Sequence, residues 1–214
     1  MKKIILFASS LFFVFILNAQ VINEGDHLLG GSLSFLMVNS TYTEPVNNRT
    51  SNVGLYPSFG WAIKNDLVVG LRGTASYGHS EDKRSSGDKT EFNSYSFGTG
   101  GFLKKYKLVK NKFGFYFDNE ATISYAGSSY NQTYAGVFAS SEGHSWAMGY
   151  AFQPGVFYKF SENFFGEGNI GGVAATYYWE GSNLKGFGIN ASFFQSFNLG
   201  INYRIGGRER NREN

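Results

Sequence analysis

Two carboxylates two positions apart, Asp118 and Glu120, are the feature of this sequence with the clearest chemical potential. On an extended strand residues i and i+2 share a face, and a carboxylate pair so placed is able to divide acid and base work. The competing reading is an ion network. Arg72, Lys159, Glu167 and Arg204 fall on or near the polar face of neighbouring extended segments, and isolated charges in a narrow interior are costly unless paired. The network is the better reading, and it predicts a filled interior with no catalytic base.

Two further patterns carry less. Gly166-Glu167-Gly168-Asn169-Ile170-Gly171 fits G-x-G-x-x-G letter for letter. A nucleotide-binding loop of that form opens a helix and has an acidic residue about 20 positions on. Here Val173 to Trp179 reads as a strand, and residues near 190 carry no acid. The glycines are read as close strand packing, with a bulge at Gly171-Gly172. His27, His79 and His144 are the only imidazoles, and with no Cys they make a weak metal set. His79-Ser80 and His144-Ser145 are the only His-Ser neighbours, and no orienting carboxylate is placed beside either.

The elements that must position these groups come from composition and period. The chain has 214 residues with 22 Phe, 14 Tyr, 3 Trp and 28 Gly, but only 16% charged residues and no Cys. That aromatic content excludes disorder; the missing Cys excludes a disulfide scaffold and a thiolate site. A net charge of +3 is too small to imply nucleic acid. Met1-Lys2-Lys3, an apolar run from Ile4 to Leu17 and the small Ala19 form a secretory leader, with cleavage expected after Ala19. The run is shorter than the roughly 20 residues of a spanning helix. The expected division is leader 1–19, a single folded unit 20–205 and a polar tail 206–214.

After residue 20 the period is two. Ile189 to Ile205 alternates apolar with small polar residues, as do the segments around 53–63, 67–77, 113–125 and 146–160. Segments near 28–38, 92–106 and 164–179 are noisier, giving eight in all. Connections at 64–66, 108–112 and 161–163 are short. Those near 39–51, 79–91, 126–144 and 180–187 read as long loops rich in Ser, Asn, Gly and charge. Short and long alternate strictly, as in an up-and-down sheet with all tight turns at one end. Eight strands suffice to close a barrel and remove exposed edges.

Alternation alone does not say which face is outside: a lipocalin-like barrel puts the apolar face inward, a membrane barrel outward. The polar face is mostly Gly, Ser, Ala, Thr and Asn, which suits a crowded lumen better than a water-facing surface. Aromatics lie toward both strand ends: Trp61, Tyr106, Phe113, Phe160 and Tyr203 near the short turns, and Tyr77, Tyr125, Trp146, Tyr177 and Trp179 near the long connections. These form two girdles. The expected fold is all-β, an eight-stranded antiparallel up-and-down transmembrane β-barrel.

On these features the chain resembles the small bacterial outer-membrane β-barrel family, the OmpA-transmembrane-domain and OmpX-like proteins, over about residues 21–205. The final alternating strand, Phe197 to Ile205, is of the kind that the outer-membrane assembly machinery recognises in the family. The nine residues after Ile205 depart from that pattern and are too few for a peptidoglycan-binding domain. The resemblance implies an outer-membrane location with periplasmic termini, external long loops, contact with lipid and lipopolysaccharide, a monomeric state and no cofactor. It favours a non-enzymatic surface role. A narrow pore comes second; third is a lipid-A-modifying enzyme using a rim His and Ser, whose fuller motif this chain does not match. The Ser/Tyr/Gly/Asn-rich stretch from Gly127 to Gly143 reads first as a plain exposed loop, with contacts to an external ligand as the alternative its composition allows.

Overall fold

The two-residue period produces strands throughout the computed structural model, which describes residues 20–41, 46–84, 87–180, 184–193 and 199–206. The leader, the tail after residue 206 and Phe197-Asn198 of the final segment lie outside the described residues. Ten strands are present: β1 (His27–Thr41), β2 (Val46–Lys64), β3 (Leu67–Arg84), β4 (Lys89–Lys110), β5 (Phe113–Tyr134), β6 (Val137–Lys159), β7 (Phe164–Asn169), β8 (Gly171–Glu180), β9 (Leu184–Phe193) and β10 (Leu199–Ile205). Each strand from β1 to β6 pairs antiparallel with the next. β6 then pairs with β7 along one half and β8 along the other. β9 lies on β8, and β10 bridges β7 and β1 through Leu33↔Leu199 to His27↔Ile205. β7 and β8 follow one another in a seventh stave, and the ring of eight closes through β10 on β1; among the described residues β9 pairs with β8 alone.

The break in the seventh stave falls at Ile170, beside the expected bulge. Gly171 has φ +116° and its N–H donates to Asn169 Oδ1 at 2.5 Å, while the Ile170 N–H turns to the Pro154 carbonyl at 3.2 Å. The G-x-G-x-x-G run therefore spans a strand and its kink, with no helix after it.

The long-loop expectation is corrected. β2 begins at Val46, β3 runs to Arg84, and β5 and β6 continue to Tyr134 and Val137. The stretch 126–144 is a continuous hairpin closed by Ala135 (φ +48°) and Gly136 (φ +79°), the two successive positive φ values of a type I′ turn. The sequence hid these extensions because beyond the apolar band both strand faces are wet. Polar residues then dominate both, and the alternation fades.

Polarity is inverted relative to a soluble barrel. Leu33, Phe35, Leu71, Phe97, Met148, Ile189 and Leu199 stand on the exterior, each more than half exposed. The interior holds charge above and an apolar layer at the short-turn end. In that layer Tyr106 meets the rings of Phe157 (5.5 Å between centroids) and Phe165 (5.8 Å) edge-on, beside Val68, Leu108 and Tyr116.

Residues before β1 complete that layer. Val21 and Ile22 are buried, and their N–H groups donate to Asp66 Oδ1 at 2.7 and 3.0 Å. Asp66 sits in the β2–β3 turn, its N–H returning to the Ile22 carbonyl at 3.0 Å. The segment is thus stitched across the turn-side mouth of the lumen.

Candidate functional site

Four staves deliver the lumenal charges. β3 presents Arg72, β5 Asp118 and Glu120, β4 Lys104 and Tyr106, and β7 Glu167, each on the inward phase of its strand. Arg72 Nη2 reaches Asp118 Oδ2 at 2.7 Å, and its Nη1 bonds Glu120 Oε2. Lys104 Nζ bridges Glu167 Oε2 at 2.7 Å and Asp118 Oδ2 at 3.6 Å. The Tyr106 hydroxyl donates to Glu167 Oε1 at 2.5 Å. Aromatic faces complete the cradle: the Arg72 guanidinium is 5.0 Å from the Phe102 centroid and Lys104 Nζ 4.8 Å from that of Tyr116. Asp118 is 3% exposed and Glu120 7%, so the cluster is held away from bulk water.

Of the six interior residues read from the sequence, four meet: Arg72, Asp118, Glu120 and Glu167. Arg204 joins a separate group at the short-turn end. Its Nη1 lies 3.6 Å from Asp26 Oδ2 and 3.3 Å from the Val21 carbonyl, anchoring the N-terminal segment. Lys159 is half-buried and forms no ion pair among the described residues. Lys104, Asp26 and Tyr116 were missed. Strand β4 carries Lys104 and Lys105 in succession with Tyr106 and Lys107 behind them, so its phase is ambiguous from sequence alone. Pairing Lys104↔Asp118 across β4–β5 fixes it.

That phase also corrects one girdle residue. Tyr106 is inside the barrel, 1% exposed, because the inward phase of β4 runs Phe102, Lys104, Tyr106, Leu108. Trp61, Phe113, Phe160 and Tyr203 do stand outside at the short-turn end. At the other end Tyr77, Trp146 and Tyr177 are exposed, and half-buried Tyr125 and Trp179 join them through the cross-strand pairs Tyr125↔Trp146 and Trp146↔Trp179.

Above the ion cluster lies a cavity of about 290 Å³ lined by Ser32, Tyr56, Thr74, Thr122, Thr176 and the charges themselves. Its carboxylates face guanidinium, ammonium and phenol donors, which suits them to hold the walls together. The rim histidines are engaged by an amide and by a ring. His79 Nδ1 shares a hydrogen bond with Asn93 Oδ1 at 2.7 Å, and the His144 ring stacks on Tyr125 at 5.8 Å. Adjacent residues on a strand point to opposite faces, so neither His79-Ser80 nor His144-Ser145 brings its two groups together. Among the described residues no three His, Asp or Glu side chains gather as a metal set.

No family model matches the sequence, and a search of curated proteins finds no relative. Several solved structures are similar to it. Ail, the attachment invasion locus protein of Yersinia pestis, is 18% identical with a TM-score of 0.33, over 85% of this chain and 99% of that one. Neisserial surface protein A is 14% identical with a TM-score of 0.37, over 85% and 98%. The N-terminal β-barrel domain of Pseudomonas aeruginosa OprF is 11% identical with a TM-score of 0.31, also over 85% and 98%. The ring of eight staves is established by the chain's own strand pairing.

Proposed function

We propose that this chain is an integral outer-membrane β-barrel with a filled lumen, working as a non-enzymatic surface protein through the hairpins that extend beyond its lipid-facing band. One observation carries the reading. The exterior between the girdles is apolar while the interior is ionic, the polarity of a barrel solvated by lipid. Closure through β10 pairs the strands all round at the short-turn half, as a sheet that meets hydrocarbon requires.

The short turns and N-terminal segment face the periplasm in this reading, and the extended hairpins face outward among lipopolysaccharide. The outermost part of β6, from Val137 to Glu142, is exposed and among the described residues pairs only with β5, since β6–β8 pairing begins at Trp146↔Trp179. A free strand edge of this kind offers main-chain donors and acceptors to an external partner. Assembly machinery is a transient partner, and the folded protein is monomeric.

Gel mobility with and without boiling tests the barrel, and planar-bilayer conductance of the refolded protein tests the filled lumen. A mobility shift without steady conductance is expected. A steady, sizeable open state overturns the filled lumen in favour of a narrow pore. Solubility without detergent and no mobility shift overturns the membrane reading altogether.

A further inference from the structure

Charge is distributed unequally between the two ends of the barrel. At the far end Glu81 pairs with Lys83 and Lys89 at 3.0 Å each, and Lys89 also bonds Glu91. At the short-turn end Lys64, Lys105, Lys107, Lys110 and Lys112 crowd onto the β2–β5 side, and none of the five forms an ion pair among the described residues.

Strand register explains the crowding. Leu67 pairs with both Lys64 and Lys105, which places those two lysines in one row across β2, β3 and β4. Lys105 pairs with Phe117, Lys107 with Phe115 and Lys110 with Phe113. The three phenylalanines are on the exterior. Lys105 and Lys107 share that outward phase, opposite the buried Lys104 and Tyr106. Their aliphatic stems therefore lie along the apolar girdle and their ammonium groups must leave it. The direction is visible at Lys105, whose Nζ donates to the Asn65 carbonyl in the β2–β3 turn at 3.1 Å.

Exposed Glu24 lies at the same turn, its N–H donating to Asn65 Oδ1 at 3.0 Å, and it forms no ion pair with any of the five among the described residues. Asp66 is engaged by the N–H groups of Val21 and Ile22, while Asp118 and Glu167 point into the lumen. Five cations at the edge of a lipid-facing wall outnumber Glu24 and, with no ion pair among the described residues, attract anions from the surroundings.

We propose that this lysine crescent binds the phosphate headgroups of anionic phospholipids in the leaflet on the short-turn side. The site rests on the membrane reading above and adds a lipid preference to it. Trp61, on the exterior of β2 at the same end, supplies a probe.

The test uses protein with Trp146→Phe and Trp179→Phe, refolded into phosphatidylcholine vesicles containing phosphatidylglycerol. Either lipid is brominated in turn, and quenching of Trp61 is read alongside gel mobility. One effective lysine–headgroup contact corresponds to about fivefold preference, so phosphatidylglycerol is expected to be favoured by at least about that factor. Lys105→Gln with Lys107→Gln should bring the preference close to unity, and 1 M salt should collapse it in the unsubstituted crescent, through a Debye length of about 3 Å. Equal quenching by the two lipids in protein that shows the mobility shift overturns the crescent alone. A preference that survives both the substitutions and the salt also overturns it. Protein that never shifts in any vesicle overturns the membrane reading, and the lipid site with it.

Discussion

Tyr106 of β4 and Glu167 of β7, on different walls of the barrel, meet across the lumen in a 2.5 Å hydrogen bond from phenol to carboxylate. Lys104 takes the other oxygen of Glu167 and also approaches Asp118, so the contact belongs to an ionic chain running from β3 to β7. Removing one member of a buried ion pair costs about 3–5 kcal/mol, because its partner is left uncompensated. Lys104→Met should therefore lower the stability of the refolded barrel by about 3 kcal/mol, whereas Tyr106→Phe removes one hydrogen bond to a charged group and should cost about 2 kcal/mol. Lys104→Met combined with Glu167→Leu should recover much of the first loss. Urea midpoints in lipid vesicles measure all three. A double variant less stable than Lys104→Met would show that the cluster stabilises in its own right.

The N-terminal segment makes a separate prediction. Asp66 Oδ1 accepts from both Val21 and Ile22, and Asp66 itself has φ +61°, where Ala is strained but Gly and Asn are tolerated. Asp66→Asn keeps an acceptor at that place and should be nearly neutral. Asp66→Gly keeps the backbone but loses both bonds, for a cost of about 2 kcal/mol. In that variant Val21 and Ile22 should become accessible to protease added from the short-turn side. Protection equal to that of the unsubstituted protein would mean that burial of Ile22, and not Asp66, holds the segment.

Much of this architecture is legible in the sequence for a definite reason. Within the apolar band one strand phase is apolar and the other small and polar, so the segments carrying Trp61, Leu71, Ile123 and Met148 declare both strand and face. The ionic partners Arg72, Asp118 and Glu120 are visible on the same ground. Legibility fails where that contrast fails. In β4 lysines occupy both phases, which hides Lys104 and sends Tyr106 to the wrong side. Beyond Tyr77 and Trp146 both faces are wet, and strands there resemble loops. The role of Asp66 in holding Val21 and Ile22 rests on a contact across more than 40 positions, which local pattern does not encode.

The wet part of the β3–β4 hairpin should respond to pH. Hydrogen bonds from Lys89 and then Lys83 hold the Glu81 carboxyl below its ordinary value, and Glu91 and Glu81 raise Lys89 above its own. A lowered carboxyl contributes stability above its unfolded pKa and loses it as pH falls through the folded value; a raised lysine contributes below its unfolded pKa and loses it as pH rises through the folded one. Hydrogen exchange in Ser80–Arg84 and Lys89–Phe92 should thus quicken, beyond the intrinsic rate, on acidifying below the ordinary glutamate range and again above the ordinary lysine range. Glu81→Gln should flatten the acid limb. Both groups remain partly open to solvent, so 1 M salt should shrink the effect; an acid limb unchanged by Glu81→Gln would assign it elsewhere.

Close approach of the staves gives the sharpest contrast between two glycines. A Cβ on Gly70 would collide with the Phe59 carbonyl oxygen, the Phe102 ring and the Gly60 Cα, two of which are backbone of the adjoining strand. Backbone held by the β2–β3 ladder does not yield as a side chain does, so Gly70→Ala must push two staves apart beside Arg72. Overpacking of this kind costs about 1–3 kcal/mol, with the upper part expected here. A Cβ on Gly168 meets only Val156 Cγ2, at 3.6 Å, an ordinary contact. Gly168→Ala should fold with unchanged yield, although this glycine belongs to the G-x-G-x-x-G run. The fraction of protein acquiring the unboiled gel mobility at graded urea measures both. If Gly168→Ala were the more damaging substitution, the seventh stave would be doing something beyond packing.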